Sequence, residues 1–202
     1  MKKTFLAAAL AVAVSGAAHA QKSDVSLGLK AGATYSDIVG PDAGFYKDVF
    51  GFHAGVFTNI GFTDMLAFQP EVLYSQKGAK SLTLAGDYVT SRLHYVDVPL
   101  AFHVNADGLF FEAGPQVGFL VLVQDIYGGT TSQVDRNNYK VLDFGYLAGL
   151  GYQRKTGLGA GLRYNGAFSN TRQSIVIGSI TQQTRARNSA FQLYLTYSLN
   201  GR

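Results

Sequence analysis

From 66 to 77 the chain alternates. Leu66, Phe68, Pro70, Val72 and Tyr74 fall on one side, and Ala67, Gln69, Glu71, Leu73, Ser75 and Lys77 on the other. Successive side chains of a strand point to opposite faces, so this is a strand with one apolar and one mostly polar surface. The same period-two pattern recurs between turn signals at 25–35, 51–62, 92–103, 109–122, 141–153, 158–168 and 189–199, giving eight predicted strands. The apolar faces carry residues such as Leu27 and Leu29, Phe52 and Val56, Val96 and Phe102, Phe111 and Phe119, Phe144 and Leu150, Leu162 and Tyr164, and Leu193 and Leu195. The opposite faces are rich in glycine and hold about one charge per strand.

Connection lengths turn this list into a topology. Short links fall at Thr63-Asp64, 105–108 and 154–157, and long polar ones at 36–50, 78–91, 123–140 and 169–188. Alternating short and long links make an antiparallel meander with every tight turn at one end. Each strand is close to the 9 to 11 residues that a tilted strand needs to cross a bilayer. Tyr35, Phe62, Tyr74, Phe102, Tyr152, Phe168 and Tyr197 lie near strand ends on the apolar face, as interfacial aromatic girdles do. A nearly charge-free face belongs against lipid and a glycine-rich one in a narrow lumen. The predicted fold is therefore all-β, an eight-stranded antiparallel up-and-down transmembrane barrel with both termini on the periplasmic side.

Composition supports this reading. Charged residues are 15% of the chain, whereas a quarter is typical of soluble domains, and Gly reaches 24 residues. After the N-terminus no apolar run approaches the roughly 18 residues of a membrane helix. Lys2 and Lys3, an apolar run at 5–14 and Ala18-His19-Ala20 read as a signal peptide over 1–20, cleaved near Ala20, leaving a barrel domain over 21–202. Losing both lysines lowers the net charge from +4 to +2, so the basic balance belongs partly to the leader. No basic block points to nucleic acid, and the lack of cysteine excludes disulfides and thiol chemistry.

Five segments carry a resemblance: GLKAGATYSDI at 28–38, LAFQPEVLYSQKGAK at 66–80, YVDVPLAFHV at 95–104, GPQVGFL at 114–120 and LRYNGAFSN at 162–170. Together, and in this order, they resemble the PorT-like outer-membrane β-barrel family of Bacteroidetes-type bacteria. The resemblance implies a small Gram-negative cell-envelope barrel with an accessory role in protein secretion. One departure is the C-terminus, Tyr197-Ser-Leu199-Asn-Gly-Arg202, which lacks the terminal aromatic that insertion machinery reads in many barrels.

Candidate chemistry lies on the polar face. Lys30, Glu71, Asp97, Glu112 and Arg163 are expected in the lower or middle lumen, where an eight-stranded barrel is narrow enough for them to meet. Unpaired buried charge is costly, so the expected role is an ion-pair and hydrogen-bond plug, with a proton or small-ion path as the alternative. His53 and His103 are expected at opposite ends of the lumen, and no metal site is read from them. Asp87, Ser91 and His94 would have to converge at the loop rim to act as a hydrolase trio, although Ser91 and His94 differ in strand parity. Gly157, Gly159 and Gly161 read as the small face of a strand rather than a nucleotide loop. Pro70, Pro99 and Pro115 suggest bulges or a bend at one depth. Asp37, Asp42 and Asp48 read as solvated loop charge.

Arg172, Arg185 and Arg187 in the last long loop are expected to contact anions such as lipopolysaccharide phosphates, or a protein partner. The expectation is a monomeric, non-enzymatic barrel without cofactors, in contact with outer-membrane lipid and the insertion machinery. Its work would be membrane structure or surface interaction, with a secretion or surface protein as partner. A narrow channel ranks second, and a barrel enzyme acting on lipid or peptide third.

Overall fold

The computed structural model describes residues 25–44, 46–83, 86–173, 175–177, 180–182 and 185–199. The expected leader, its cleavage site at Ala20, and residues 200–202 lie outside the described residues. Eight long strands form the wall. They are β1 (Val25–Val39), β2 (Val49–Gly61), β3 (Leu66–Leu82), β4 (Tyr88–Ala106), β5 (Leu109–Tyr127), β6 (Leu142–Gln153), β7 (Leu158–Ala167) and β8 (Arg187–Ser198). Each pairs antiparallel with its neighbours in sequence, and β1 pairs with β8, so the sheet closes on itself.

The ring is staggered. Following paired residues from Val25 through Ile60, Phe68, Phe102, Ala113, Ala148, Tyr164 and Phe191 returns to β1 at Tyr35, ten residues further along. That stagger is what strand tilt imposes on a closed barrel. The path consists throughout of outward-facing residues. Leu29, Phe52, Val56, Phe102, Phe111, Phe144, Leu150, Leu162, Leu193 and Leu195 are all exposed, whereas Lys30, His53, Glu71, Asp97, Glu112, Arg163 and Gln192 are buried. The greasy surface is outside and the polar one inside, as lipid requires.

At one end the links are tight. Ala106 and Leu109 flank a two-residue turn in which Asp107 (φ 48°) and Gly108 (φ 88°) both take left-handed conformations, the geometry that matches the twist of paired strands. Long connections gather at the opposite end.

Three features differ from the sequence-based expectation. First, β3, β4 and β5 run well beyond their predicted ends at 77, 92 and 122 and raise one side of the wall above the membrane band. Short strands border this raised part: Tyr46–Lys47 pairs with β3 and Thr130–Gln133 with β5, so the sheet has ten strands around a ring of eight. A separate hairpin joins Ile175–Ile177 to Ile180–Gln182.

Second, the prolines cause no bulge. Pairing is interrupted between Pro70↔Leu100 and Leu73↔Asp97, and between Pro99↔Gln116 and Phe102↔Ala113, yet the register on either side is unchanged. A missing N–H removes a ladder bond locally while flanking pairs hold the alignment. Third, the register shift in the β4–β5 pair lies higher, at His94/Tyr95, where Leu122 and Leu120 are the partners.

Candidate functional site

The inner face gathers around Arg163. It lies on β7, four strands from β3 in a ring of eight, so its guanidinium spans the lumen to reach Glu71. Nη1 donates to Glu71 Oε2 at 2.9 Å and Nη2 to Glu71 Oε1 at 2.8 Å. The same guanidinium donates from Nε to Glu112 Oε1 at 2.8 Å and from Nη2 to Glu112 Oε2 at 2.5 Å. Bidentate pairing to two carboxylates uses the planar fork of arginine, which lysine could not reproduce.

Lys30 donates to Glu71 Oε1 at 2.6 Å, Gln69 Nε2 donates to the same oxygen at 2.9 Å, and the Tyr194 hydroxyl donates to Glu112 Oε1 at 2.8 Å. Lys30 Nζ also sits 4.0 Å from the Tyr194 ring centroid. Gly161 makes room for that ring, since a Cβ there would collide with the Tyr194 hydroxyl. The two cations and two carboxylates balance, and Arg163 is 1% exposed.

Asp97 does not join this cluster. It pairs with Leu73 on β3, two residues beyond Glu71, and meets Lys77 instead, whose Nζ lies 3.0 Å from Oδ1 and 2.9 Å from Oδ2. A polar chain continues toward the loop end. Asn188 Nδ2 donates to Tyr95 Oη at 3.1 Å and to Asp143 Oδ2 at 2.8 Å, and Ser169 Oγ donates to Asp143 Oδ1 at 2.5 Å. Sequence reading placed Lys77, Tyr95, Asp143 and Tyr194 on the polar strand faces without joining them in a network, and left Asn188 in the last long link. Inward parity was the signal available for all of them.

Little space remains. A cavity of about 20 Å³ lies beside Asn59, Gln69, His103 and Tyr194, and one of about 10 Å³ beside Lys77, Asp143, Asn165 and Asn188. Each has room for about one water molecule. His53 Nδ1 lies 3.0 Å from Thr34 Oγ1, whereas His103 stacks on Phe110 and places Nε2 3.4 Å from Glu112 Oε2 without hydrogen-bond alignment.

A lipid-exposed apolar exterior around a charged, closed interior has a counterpart among known proteins. Residues 19–173 match the family described as outer membrane protein beta-barrel domain. This chain belongs to that family. Among solved structures, this family member resembles Neisserial surface protein A of Neisseria, with a TM-score of 0.53 and 15% identity, covering 86% of this chain and 97% of that one. It also resembles Ail, the attachment invasion locus protein of Yersinia pestis, solved with the heparin analogue sucrose octasulfate. There the TM-score is 0.50 and identity 12%, covering 87% of this chain and 99% of that one. At such identities the likeness is one of fold. Comparison with curated proteins gives no match.

At the loop end of this outer-membrane barrel the residues once grouped as a trio are apart. His94 points outward, with Nδ1 2.5 Å from the Tyr74 hydroxyl and Nε2 2.9 Å from Gln124 Oε1. Ser91 donates inward to Asp125 at 2.7 Å, and Asp87 accepts from Tyr127 at 2.9 Å. Opposite parity on one strand separates Ser91 from His94.

The three loop arginines are also dispersed. The Arg172 guanidinium lies 5.4 Å from the Tyr139 ring centroid, Arg185 bonds Asp42 through its backbone N–H at 2.7 Å, and Arg187 is exposed at the start of β8. Asp37 and Asp48 are used locally, by the Ile38 N–H and the Tyr35 hydroxyl. The link after β5 folds back over the mouth, where Tyr139 packs with Leu93, Tyr95, Leu120 and Val123. Burial there raises the Tyr139 hydroxyl above its ordinary pKa.

Proposed function

We propose that this outer-membrane barrel is a non-enzymatic, non-conducting protein of membrane structure and surface interaction, which meets its partners through the loop end. The observation that carries this reading is the Arg163 cluster, which crosses the lumen from β7 to β3 and β5 with every charge paired. An ion entering would have to displace a bidentate, desolvated pair, at a cost of several kcal/mol. Short turns face the periplasm in barrels of this kind, which puts the folded mouth and its flanking loops outside. Ail, which shares the fold, is by name an attachment protein. The secretion role implied by the PorT-like resemblance would use the same loop surface for a protein partner.

Conductance tests the reading. Refolded wild-type protein in a planar bilayer is expected to be silent, while Arg163→Ala and Glu71→Ala leak or lose resistance to heat. Steady wild-type conductance, with ion selectivity altered by either substitution, would show a small pore instead.

A further inference from the structure

The raised part of the wall carries a feature the lumen does not explain. Lys47, on the short strand beside β3, pairs directly with Lys80, and Lys80 pairs with Thr90 on β4. Like charges placed opposite each other on neighbouring strands destabilise a sheet. Two residues along β4 from Thr90, on the same face, lies Arg92, which donates to Gln76 Oε1 at 3.1 Å and keeps a buried Nε without a partner. Lys80 is thus flanked by Lys47 directly opposite and by Arg92 on the diagonal, where sheet neighbours lie about 7 to 8 Å apart, so one outer patch carries three cations.

No carboxylate balances them. The outward residues of β3 and β4 include no Asp or Glu, and neither do those of β5 once the register shift is followed to Leu122, Gln124 and Ile126. Asp125 accepts from Ser91 on the inner face, Asp87, exposed in the link before β4, accepts from the Tyr127 hydroxyl, and Asp48, next to Lys47 in the chain, accepts from the Tyr35 hydroxyl. Among the described residues none of the three cations forms an ion pair. Lys47 is steered over the Tyr88 ring, 4.4 Å from its centroid.

Height decides the source of the anion. Directly below on the same outer face come His94, Tyr74 and Phe52, the last two in ring contact at 5.6 Å, and then the apolar band. Arg92 pairs with Gly78, four residues above Tyr74, and Lys80 lies two residues higher with Lys47 beside it; at a strand rise of about 3.3 Å per residue and a tilt near 40° these heights are on the order of 10 and 15 Å above the aromatic girdle. Both heights lie beyond the acyl chains, on the side where a glycolipid carries its sugars and phosphates. We propose that Lys47, Lys80 and Arg92 form an outer-wall site for the phosphate of a glycolipid in the outer leaflet, held against the barrel flank. This site is separate from the loop arginines and independent of whether the loops bind a protein.

The full chain in detergent micelles tests it, with native mass spectrometry reading retained lipid. The probes are lipopolysaccharide, the same material after enzymatic dephosphorylation, and inorganic phosphate. Wild type is expected to retain the phosphorylated lipid, and the variant Lys47→Gln/Lys80→Gln/Arg92→Gln to lose at least tenfold in affinity. Arg172→Gln/Arg185→Gln/Arg187→Gln should bind as wild type does, with heat-modified gel mobility reporting that both variants are folded. If the outer-wall variant misfolds, dephosphorylated lipid binding wild type at least tenfold more weakly sustains the proposal. Equal binding of dephosphorylated lipid, loss only in the loop variant, or inorganic phosphate competing at equal affinity would overturn it.

Discussion

Arg163 illustrates how much of this barrel rests on one side chain. Its guanidinium satisfies four carboxylate oxygens on two strands. Removing it leaves Glu71 and Glu112 buried, with Lys30 their remaining close cation. Breaking a buried pair from one side costs about 3–5 kcal/mol, whereas replacing all partners together with neutral groups of similar volume costs far less. Arg163→Met should therefore lower the unfolding free energy obtained from urea titration in lipid vesicles by that amount. Lys30→Met/Glu71→Gln/Glu112→Gln/Arg163→Met should recover most of it, and a quadruple variant as unstable as the single one would sink the charge-pairing account. The inward parity of Lys30, Glu71, Glu112 and Arg163 could be read from sequence. Their grouping without Asp97 could not, because it depends on Asp97 lying opposite Leu73 rather than Glu71.

At the level of elements, legibility followed the membrane. Between Leu66 and Lys77 lipid on one side and lumen on the other keep the alternation sharp. Above that band apolar and polar residues mix on both faces of β3, β4 and β5, with Leu93 and Val123 beside Ser91 and Asp125 inside and Leu82 and Tyr88 beside Lys80 and Thr90 outside, so no period marks these lengths as strands and they looked like loops. The tight turn between β4 and β5 is different, because its chemistry is local. Asp107 holds a φ of 48°, which Asp tolerates and a residue with a bare Cβ does not. Asp107→Ala is expected to cost about 1 kcal/mol by equilibrium unfolding, with Asp107→Gly close to wild type. A neutral Asp107→Ala would mean that the flanking pairs, not the turn, dictate the hairpin.

The whole molecule was legible as a ring because link lengths and face chemistry agree on one topology. What could not be read was its stagger, a property of registers that no single segment contains. Closure also has a bearing on how the barrel comes to exist. The neighbour that β1 needs is β8, the eighth wall strand in chain order, running from Arg187 to Ser198 and supplying Tyr194 to the cluster around Arg163. Every earlier length of the chain has two open edges and a broken interior. A chain ending at residue 186 is therefore expected to yield no heat-resistant species in vesicles, rather than a smaller barrel. Assembly has no halfway house: the membrane can accept this barrel only once all eight strands have been made, and a copy cut short of β8 is fit only for degradation.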